Sequence, residues 1–181
     1  MNLENLKQPA CLVSERLTLV AATARHVRAE LKAPDQLAML LDAVVSPSWP
    51  PGEYDREAMS FFLARFEEGG AAVEGWYSWY ALVTESERRV LVGAGGYFGP
   101  PDEQGSVEIG YSILPEWQGQ GYATELAGGL VEHVLSFPRT TQVVAHTFES
   151  NPASVRVLER CGFRNVGPGS EPGLVRFVRP R

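Results

Sequence analysis

The sequence is poorest in the residues that build metal and disulfide sites. Its 181 residues include two cysteines, Cys11 and Cys161, far apart and without CxxC spacing, and three scattered histidines, His26, His133 and His146. That distribution predicts neither a disulfide framework nor a structural metal site. Positive charge is also short: 16 Lys and Arg stand against 22 Asp and Glu, a formal net charge of −6. The basic footprint that phosphate-backbone binding requires is missing, which argues against nucleic acid as a partner. No apolar run approaches the roughly 18 residues of a membrane span. The segment from Met1 to Leu12 lacks both the charged and the apolar regions of a secretion signal. These absences predict a cytoplasmic protein without membrane association.

What is present is a chain of 44% hydrophobic residues whose length fits a single domain, 1–181, with its own core. Arg16 to Val20 alternates with period two and reads as a strand. Ala24 to Val45 looks helical, but Pro34 must break or kink it, so an irregular region is expected. Asp55 to Glu68 repeats Met59, Phe62, Leu63 and Phe66 at helical spacing and stops at Gly69-Gly70. Strands are predicted at Trp76 to Thr84, Val90 to Phe98 and Val107 to Leu114, joined by polar turns into an antiparallel meander. A helix over Ala123 to Ser136, a strand over Thr141 to Phe148, a short helix over Ala153 to Cys161 and a strand over Leu174 to Val178 follow. Strands outnumber helices, so the fold class is α+β around a mixed sheet.

The informative stretch is Trp117-Gln118-Gly119-Gln120-Gly121-Tyr122-Ala123-Thr124, between a strand and a helix. A glycine turn at a helix N-terminus presents unpaired N–H groups at the positive end of the helix dipole, which suits a phosphate. Gly119 and Gly121 remove Cβ atoms where an anion must come close, and Gln118 and Thr124 can add donors. The loop holds no lysine, so the GxxxxGK(S/T) pattern fails. GxGxxG fails as well, because Thr124 occupies the third position. A second cluster, Gly93-Ala94-Gly95-Gly96, reads as a bulge or a close backbone approach.

The order Gln118-x-x-Gly121-x-Ala123 resembles the Q/R-x-x-G-x-G/A signature of the GNAT N-acetyltransferase superfamily, whose loop holds the pyrophosphate of acetyl-CoA. Glu108 to Pro115 is similar to that superfamily's fourth strand, and Asn151-Pro152-Ala153-Ser154 through Gly162-Phe163 to its "N-x-x-S…G-F" segment. Ser14-Glu15-Arg16-Leu17-Thr18-Leu19 resembles the start of the ribosomal-protein N-terminal acetyltransferase branch, the RimJ/RimL type. The match runs from about Ser14 to Val178. It implies a mostly antiparallel sheet splayed between its fourth and fifth strands and flanked by helices. It also implies that the cofactor arm lies in the splay against backbone groups of Tyr111, Ser112, Ile113 and Leu114, and its pyrophosphate on Gln118, Gly119, Gln120, Gly121, Tyr122, Ala123 and Thr124.

Acetylating an amine requires a base for the amine and benefits from an acid for the departing thiolate. Period two turns Glu108, Gly110 and Ser112 away from Val107, Ile109, Tyr111 and Ile113. Glu108 is therefore either a solvated strand carboxylate or, as the resemblance implies, the base. Asn151 before Pro152 is accounted for as a helix N-cap. The resemblance implies in addition that Asn151 contacts the cofactor arm and that Ser154 protonates the thiolate. No tyrosine stands among Ala153 to Phe163, where other relatives keep an acid, which leaves Ser154 or no dedicated acid. Cys161 reads as a small buried hydrophobe, Trp49 as packing within a proline-rich loop, and the histidines as surface or structural residues. The aromatic group Trp76, Tyr77, Trp79 and Tyr80 is read as core, with a solvent face that could line an acceptor pocket. Acceptor specificity is assigned to Pro47 to Arg65 and to the loops after the second and third strands. The sequence thus supports an N-acetyltransferase moving acetyl from acetyl-CoA to a primary amine, either a small molecule or a peptide N-terminus. A catalytically silent module that binds acyl-CoA is the alternative, in either case as a monomer or a homodimer.

Overall fold

Pro34 decides how the first helical region divides. The computed structural model, which describes residues 9–181, ends α1 (Ala24–Lys32) just before it and starts α2 (Pro34–Leu41) on it. Proline is well placed there, because the first helical turn has no partner for an N–H in any case. Two regular helices therefore replace the irregular region expected from sequence, and a two-residue strand, β3 (Val44–Val45), follows them. The reading of the first eight residues lies outside the described chain. α3 (Arg56–Gly69) is capped by Asp55, whose carboxylate accepts from the N–H groups of Glu57 and Ala58 at 2.9 Å each.

The meander forms as its turns predict. β4 (Ser78–Glu85), β5 (Arg88–Tyr97) and β6 (Ser106–Ile113) pair antiparallel, with β2 (Leu17–Ala21) and β1 (Cys11–Val13) extending the sheet beyond β4. The chain then crosses through α4 (Tyr122–Leu135) to β7 (Gln142–Phe148), which lies parallel to β6, and through α5 (Pro152–Arg160) to the hairpin β8 (Arg164–Pro168) and β9 (Leu174–Pro180). The sheet order is β1-β2-β4-β5-β6-β7-β9-β8. β1, β3 and β8 are the strands that periodicity passed over; the first two are too short to show it, and β8 is largely exposed.

Both faces of the sheet are covered. Trp79, Ala81 and Val83 of β4 pack toward α4 with Leu126, Leu130 and Val134, while Tyr80 and Leu82 pack toward α1 and α3 with Val27, Phe62 and Phe66. Strand β4 is therefore buried from Ser78 to Val83, and the aromatic group at its start belongs to the core: Tyr77, Trp79 and Tyr80 are all buried. The glycine cluster of β5 serves both expected purposes. The β4–β5 register shifts where Ala81 pairs with Gly93 and Leu82 with Leu91, and a Cβ on Gly96 would stand 1.8 Å from the Tyr77 carbonyl oxygen.

Parallel pairing of β6 with β7 runs only from Ser106–Gln142 to Ile109–Ala145. Beyond Ile109 the strands part, and a cleft opens at the N-terminus of α4. This parting is what positions the site.

Candidate active site

Gly119 and Gly121 both take positive φ, +75° and +87°, and Gly121 caps α4 in the left-handed conformation. The first helical bond runs from Glu125 N–H to Gly121 O, so the N–H groups of Tyr122, Ala123 and Thr124 have no helical partner and face the loop. A Cβ on Gly119 would meet nothing within 4 Å, whereas one on Gly121 would stand 3.2 Å from the Arg16 guanidinium. Arg16 donates to Gln120 O at 2.9 Å, pairs with Glu125 at 2.8 Å and lies 4.6 Å over the Tyr122 ring. Ser14 Oγ donates to the same carboxylate at 2.7 Å. Burial pushes the Glu125 carboxyl up, but the hydrogen bonds from Ser14 and Arg16 and the Arg16 charge outweigh it and hold the group below its ordinary range. The loop is thus clamped from the turn before β2 while its N–H groups stay free for an anion.

The cleft has a volume of about 700 Å³ and runs from Gly119, Gly121 and Thr124, past Tyr111 and Ile113, to Asn151 and Ser154 on α5. The β6 backbone is oriented by its other neighbour. Glu108 O accepts from Phe98 N–H at 3.1 Å and Leu114 N–H donates to Val92 O at 2.9 Å, both toward β5. Alternation then turns the backbone groups of Tyr111 and Ile113 toward the cleft. The Ile113 carbonyl accepts from the Gln118 side chain at 2.9 Å, which ties the loop to the strand end.

Two side-chain pairs stand where β6 and β7 separate. On one face Glu108 Oε1 lies 2.8 Å from His146 Nδ1, with His146 one residue beyond the last β6–β7 pair. On the other, Tyr111 OH lies 3.2 Å from Ser154 Oγ. Burial pushes the Tyr111 hydroxyl up to about 12, against the lowering contact with Ser154, so it keeps its proton at neutral pH. A second cavity, about 400 Å³, opens on the α3 side of the sheet and shares Glu53, Gly110, Tyr111 and Ser112 with the cleft. The two spaces adjoin along these residues, two positions along β6 from Glu108, whose partner His146 lines the cleft.

A splayed sheet, an anion loop at a helix N-terminus and two spaces adjoining at the splay are also the features of a known family. The sequence model described as an acetyltransferase (GNAT) domain matches residues 16–164. The chain belongs to the GNAT acetyltransferase family. An uncharacterized N-acetyltransferase, YjdG, of Bacillus subtilis is 27% identical over 152 residues, covering 84% of this chain and 88% of its own. The fold also matches a RimL ribosomal L7/L12 α-N-protein acetyltransferase, at a TM-score of 0.62 and 20% identity over 96% of this chain and 95% of that one. An acetyltransferase from Agrobacterium tumefaciens gives 0.64 and 22% over 99% and 100%. The protein is an acetyl-CoA-dependent acetyltransferase with the GNAT α+β fold.

Of the residues that the signature assigned to the cofactor, the cleft gathers Tyr111, Ser112, Ile113, Gln118, Gly119, Gly121, Tyr122, Ala123, Thr124, Asn151 and Ser154. Leu114 is fully buried with its N–H bonded to β5, and alternation directs the Ser112 backbone the same way, so only Tyr111 and Ile113 offer cleft-facing backbone. Gln120 stands outside the cleft and serves the clamp through its carbonyl. Asn151 caps α5, accepting from Ser154 N–H at 3.2 Å, while also facing the cleft. Cys161 is buried and its thiol pushed up by that burial, as a packing residue should be. Trp49 is likewise structural, its indole donating to Glu30 at 2.8 Å. Strand pairing brings His146 to Glu108 from 38 residues away, a contact that no local pattern announces. Arg16 was visible only as part of a family-like opening, and its clamp on the loop required the fold. The loops Glu85–Arg89 and Gly99–Gly105 line neither space; Phe98, just past the end of β5, does.

Proposed function

We propose that this enzyme transfers acetyl directly from acetyl-CoA to a primary amine. The observation that carries the reading is the set of residues common to the two spaces, Glu53 and Gly110 to Ser112, two positions along β6 from Glu108, whose partner His146 lines the cleft. The free N–H groups of Tyr122, Ala123 and Thr124 fit the pyrophosphate, and the cleft-facing backbone of Tyr111 and Ile113 fits an amide-bearing arm, which pairs as an added strand would. When bound, acetyl-CoA supplies the activated acetyl thioester.

Glu108 holds His146 through Nδ1 and leaves Nε2 to accept the proton that an ammonium must lose before its nitrogen can form the C–N bond. As the C–S bond breaks, Ser154, held by the Tyr111 hydroxyl, hands a proton to the sulfur, and the second proton that the nitrogen sheds as the amide forms restores the serine. Backbone N–H groups of β6 that face the cleft stabilise the carbonyl oxygen. These paired groups argue against a silent acyl-CoA module, which needs neither. Calorimetry with acetyl-CoA, with ATP and NADH as controls, should give binding by acetyl-CoA alone. Thiol release should then require an added amine, and intact-mass measurement without amine should show no acetylated protein. An acetylated enzyme that forms on acetyl-CoA alone defeats direct transfer.

A further inference from the structure

The glycine cluster of β5 does more than admit a bulge. Ala94 pairs with Ser112 and Gly96 with Gly110, so four of the smallest side chains, from two neighbouring strands, form the floor of the 400 Å³ cavity. Its walls are aromatic: Tyr54, Phe61 and Phe62 from the α3 side and Phe98 from just past the end of β5, with Phe62 and Phe98 ring centroids 6.4 Å apart. Phe61 and Phe98 line this cavity with 41% and 53% of their surface exposed. At its rim stand the exposed carboxylates of Glu53 and Glu57, and Glu53 also borders the cofactor cleft. Among the residues lining this cavity there is no lysine, arginine or histidine to neutralise them.

Small floor, aromatic walls and an anionic rim form a pocket for an apolar body carrying one cationic head. The volume is that of a small-molecule site. The loop before α3 lies against β6 so closely that a Cβ on Gly52 would stand 2.6 Å from Ser112 Oγ, which narrows the passage between pocket and cleft. An ammonium drawn to Glu53 reaches that passage, beside His146, while its apolar part fills the space under Phe98. We infer that the acceptor is a small aralkylamine: a primary amine on a short chain attached to an aromatic ring. Stacking and edge-on contacts with the phenylalanine walls favour a ring over an alkyl chain, and Glu53 and Glu57 favour a cation over a neutral or acidic acceptor. The inference rests on the acetyltransferase reading of the cleft.

The test is steady-state thiol release from acetyl-CoA with 2-phenylethylamine, tryptamine, ethanolamine, spermidine and a serine-initiated peptide as acceptors. The two aryl amines are expected to exceed the other three in kcat/KM by about tenfold or more. Phe98→Ala, at an exposed position, should raise KM for 2-phenylethylamine about tenfold while leaving the acetyl-CoA Kd and the melting temperature unchanged; Phe98→Leu should recover part of the loss. Glu57→Gln should weaken the same acceptor roughly threefold at low salt, with the difference fading at high salt. Faster turnover of spermidine or the peptide overturns the inference, as does a Phe98→Ala effect equal for all five acceptors. Tight acetyl-CoA binding without turnover of either aryl amine overturns the acceptor assignment alone. Absence of acetyl-CoA binding removes the acetyltransferase reading, and the acceptor falls with it.

Discussion

On the cofactor side of the sheet, Glu125 ties the anion loop to β2; on the acceptor side, Glu30 ties the loop before α3 to α1 and β4. Glu125 receives hydrogen bonds from Ser14, from the Arg16 side chain and from two backbone N–H groups, and it pairs with a full positive charge. Glu30 is buried and receives only neutral donors: Tyr80 OH at 2.6 Å, Tyr54 OH at 2.9 Å and Trp49 Nε1 at 2.8 Å. The nearby His26, lowered to about 4 by its burial and by Arg25, gives it no cation at neutral pH. The same residue type therefore holds the two halves of the site with opposite proton preferences: low for Glu125, raised to about 7 by burial for Glu30. The cofactor half is built from backbone and an ion pair, and the acceptor half from side-chain shape. Variants on the first should alter acetyl-CoA affinity, and variants on the second should alter acceptor use and catalysis.

The largest effect is expected from Gly121→Val. A β-branched residue at φ +87° carries local strain of roughly 1–2 kcal/mol, displaces the Arg16 guanidinium 3.2 Å from the new Cβ, and turns the N–H groups of the loop away from a common point. Calorimetry should find acetyl-CoA affinity down by about 100-fold or more, with the circular-dichroism spectrum unchanged. A folded variant that binds normally would break the contrast, because the loop would then act through something other than its backbone.

Next come His146→Gln and Glu108→Gln on the acceptor face. Each should lower kcat by on the order of 100-fold with the acetyl-CoA Kd unaltered, and the double variant should cost little more than either alone, because the two groups act as a unit. Fully additive losses would mean that Glu108 and His146 work separately despite their 2.8 Å contact.

The same division governs how much was legible in the sequence. The anion loop is local: Gln118, Gly119 and Gly121 fall within four residues between a strand and a helix, and their chemistry is a matter of φ and missing Cβ atoms. The pocket is not local. Phe61, Phe98 and Glu57 come from α3 and from just past the end of β5, and in sequence Phe61 and Phe62 read simply as part of an amphipathic stripe. Its floor was seen as a glycine cluster, but only cross-strand pairing shows that Gly96 faces Gly110. The division of the first helical region and the α+β class followed from proline position and period. β3 escaped because two residues carry no periodicity, and the contact of His146 with Glu108 because parallel pairing joins segments with no sequence relation to each other.

The smallest effect should also separate the halves most cleanly, because it needs only pH. Folding raises the Glu30 carboxyl above its ordinary value of 4.5, so its contribution to stability is full below 4.5 and is lost as pH rises through about 7. Folding lowers the Glu125 carboxyl, so its contribution is present above the ordinary range and is lost as pH falls through the lowered value. Raising pH from roughly 6 to 8 should therefore strain the Trp49, Tyr54 and Tyr80 network and increase acceptor KM severalfold, while the acetyl-CoA Kd stays level. Glu30→Gln keeps a carbonyl oxygen for Trp49 and offers N–H donors to the tyrosine oxygens in place of the acid proton, so it resembles the protonated state at every pH. It should flatten the KM profile and the melting temperature over that interval. A profile equally steep in Glu30→Gln would assign the neutral-pH dependence to another group and leave Glu30 with packing alone. A matching rise in the acetyl-CoA Kd would show that the two halves loosen together, and the contrast between backbone and side-chain construction would then not extend to their stability.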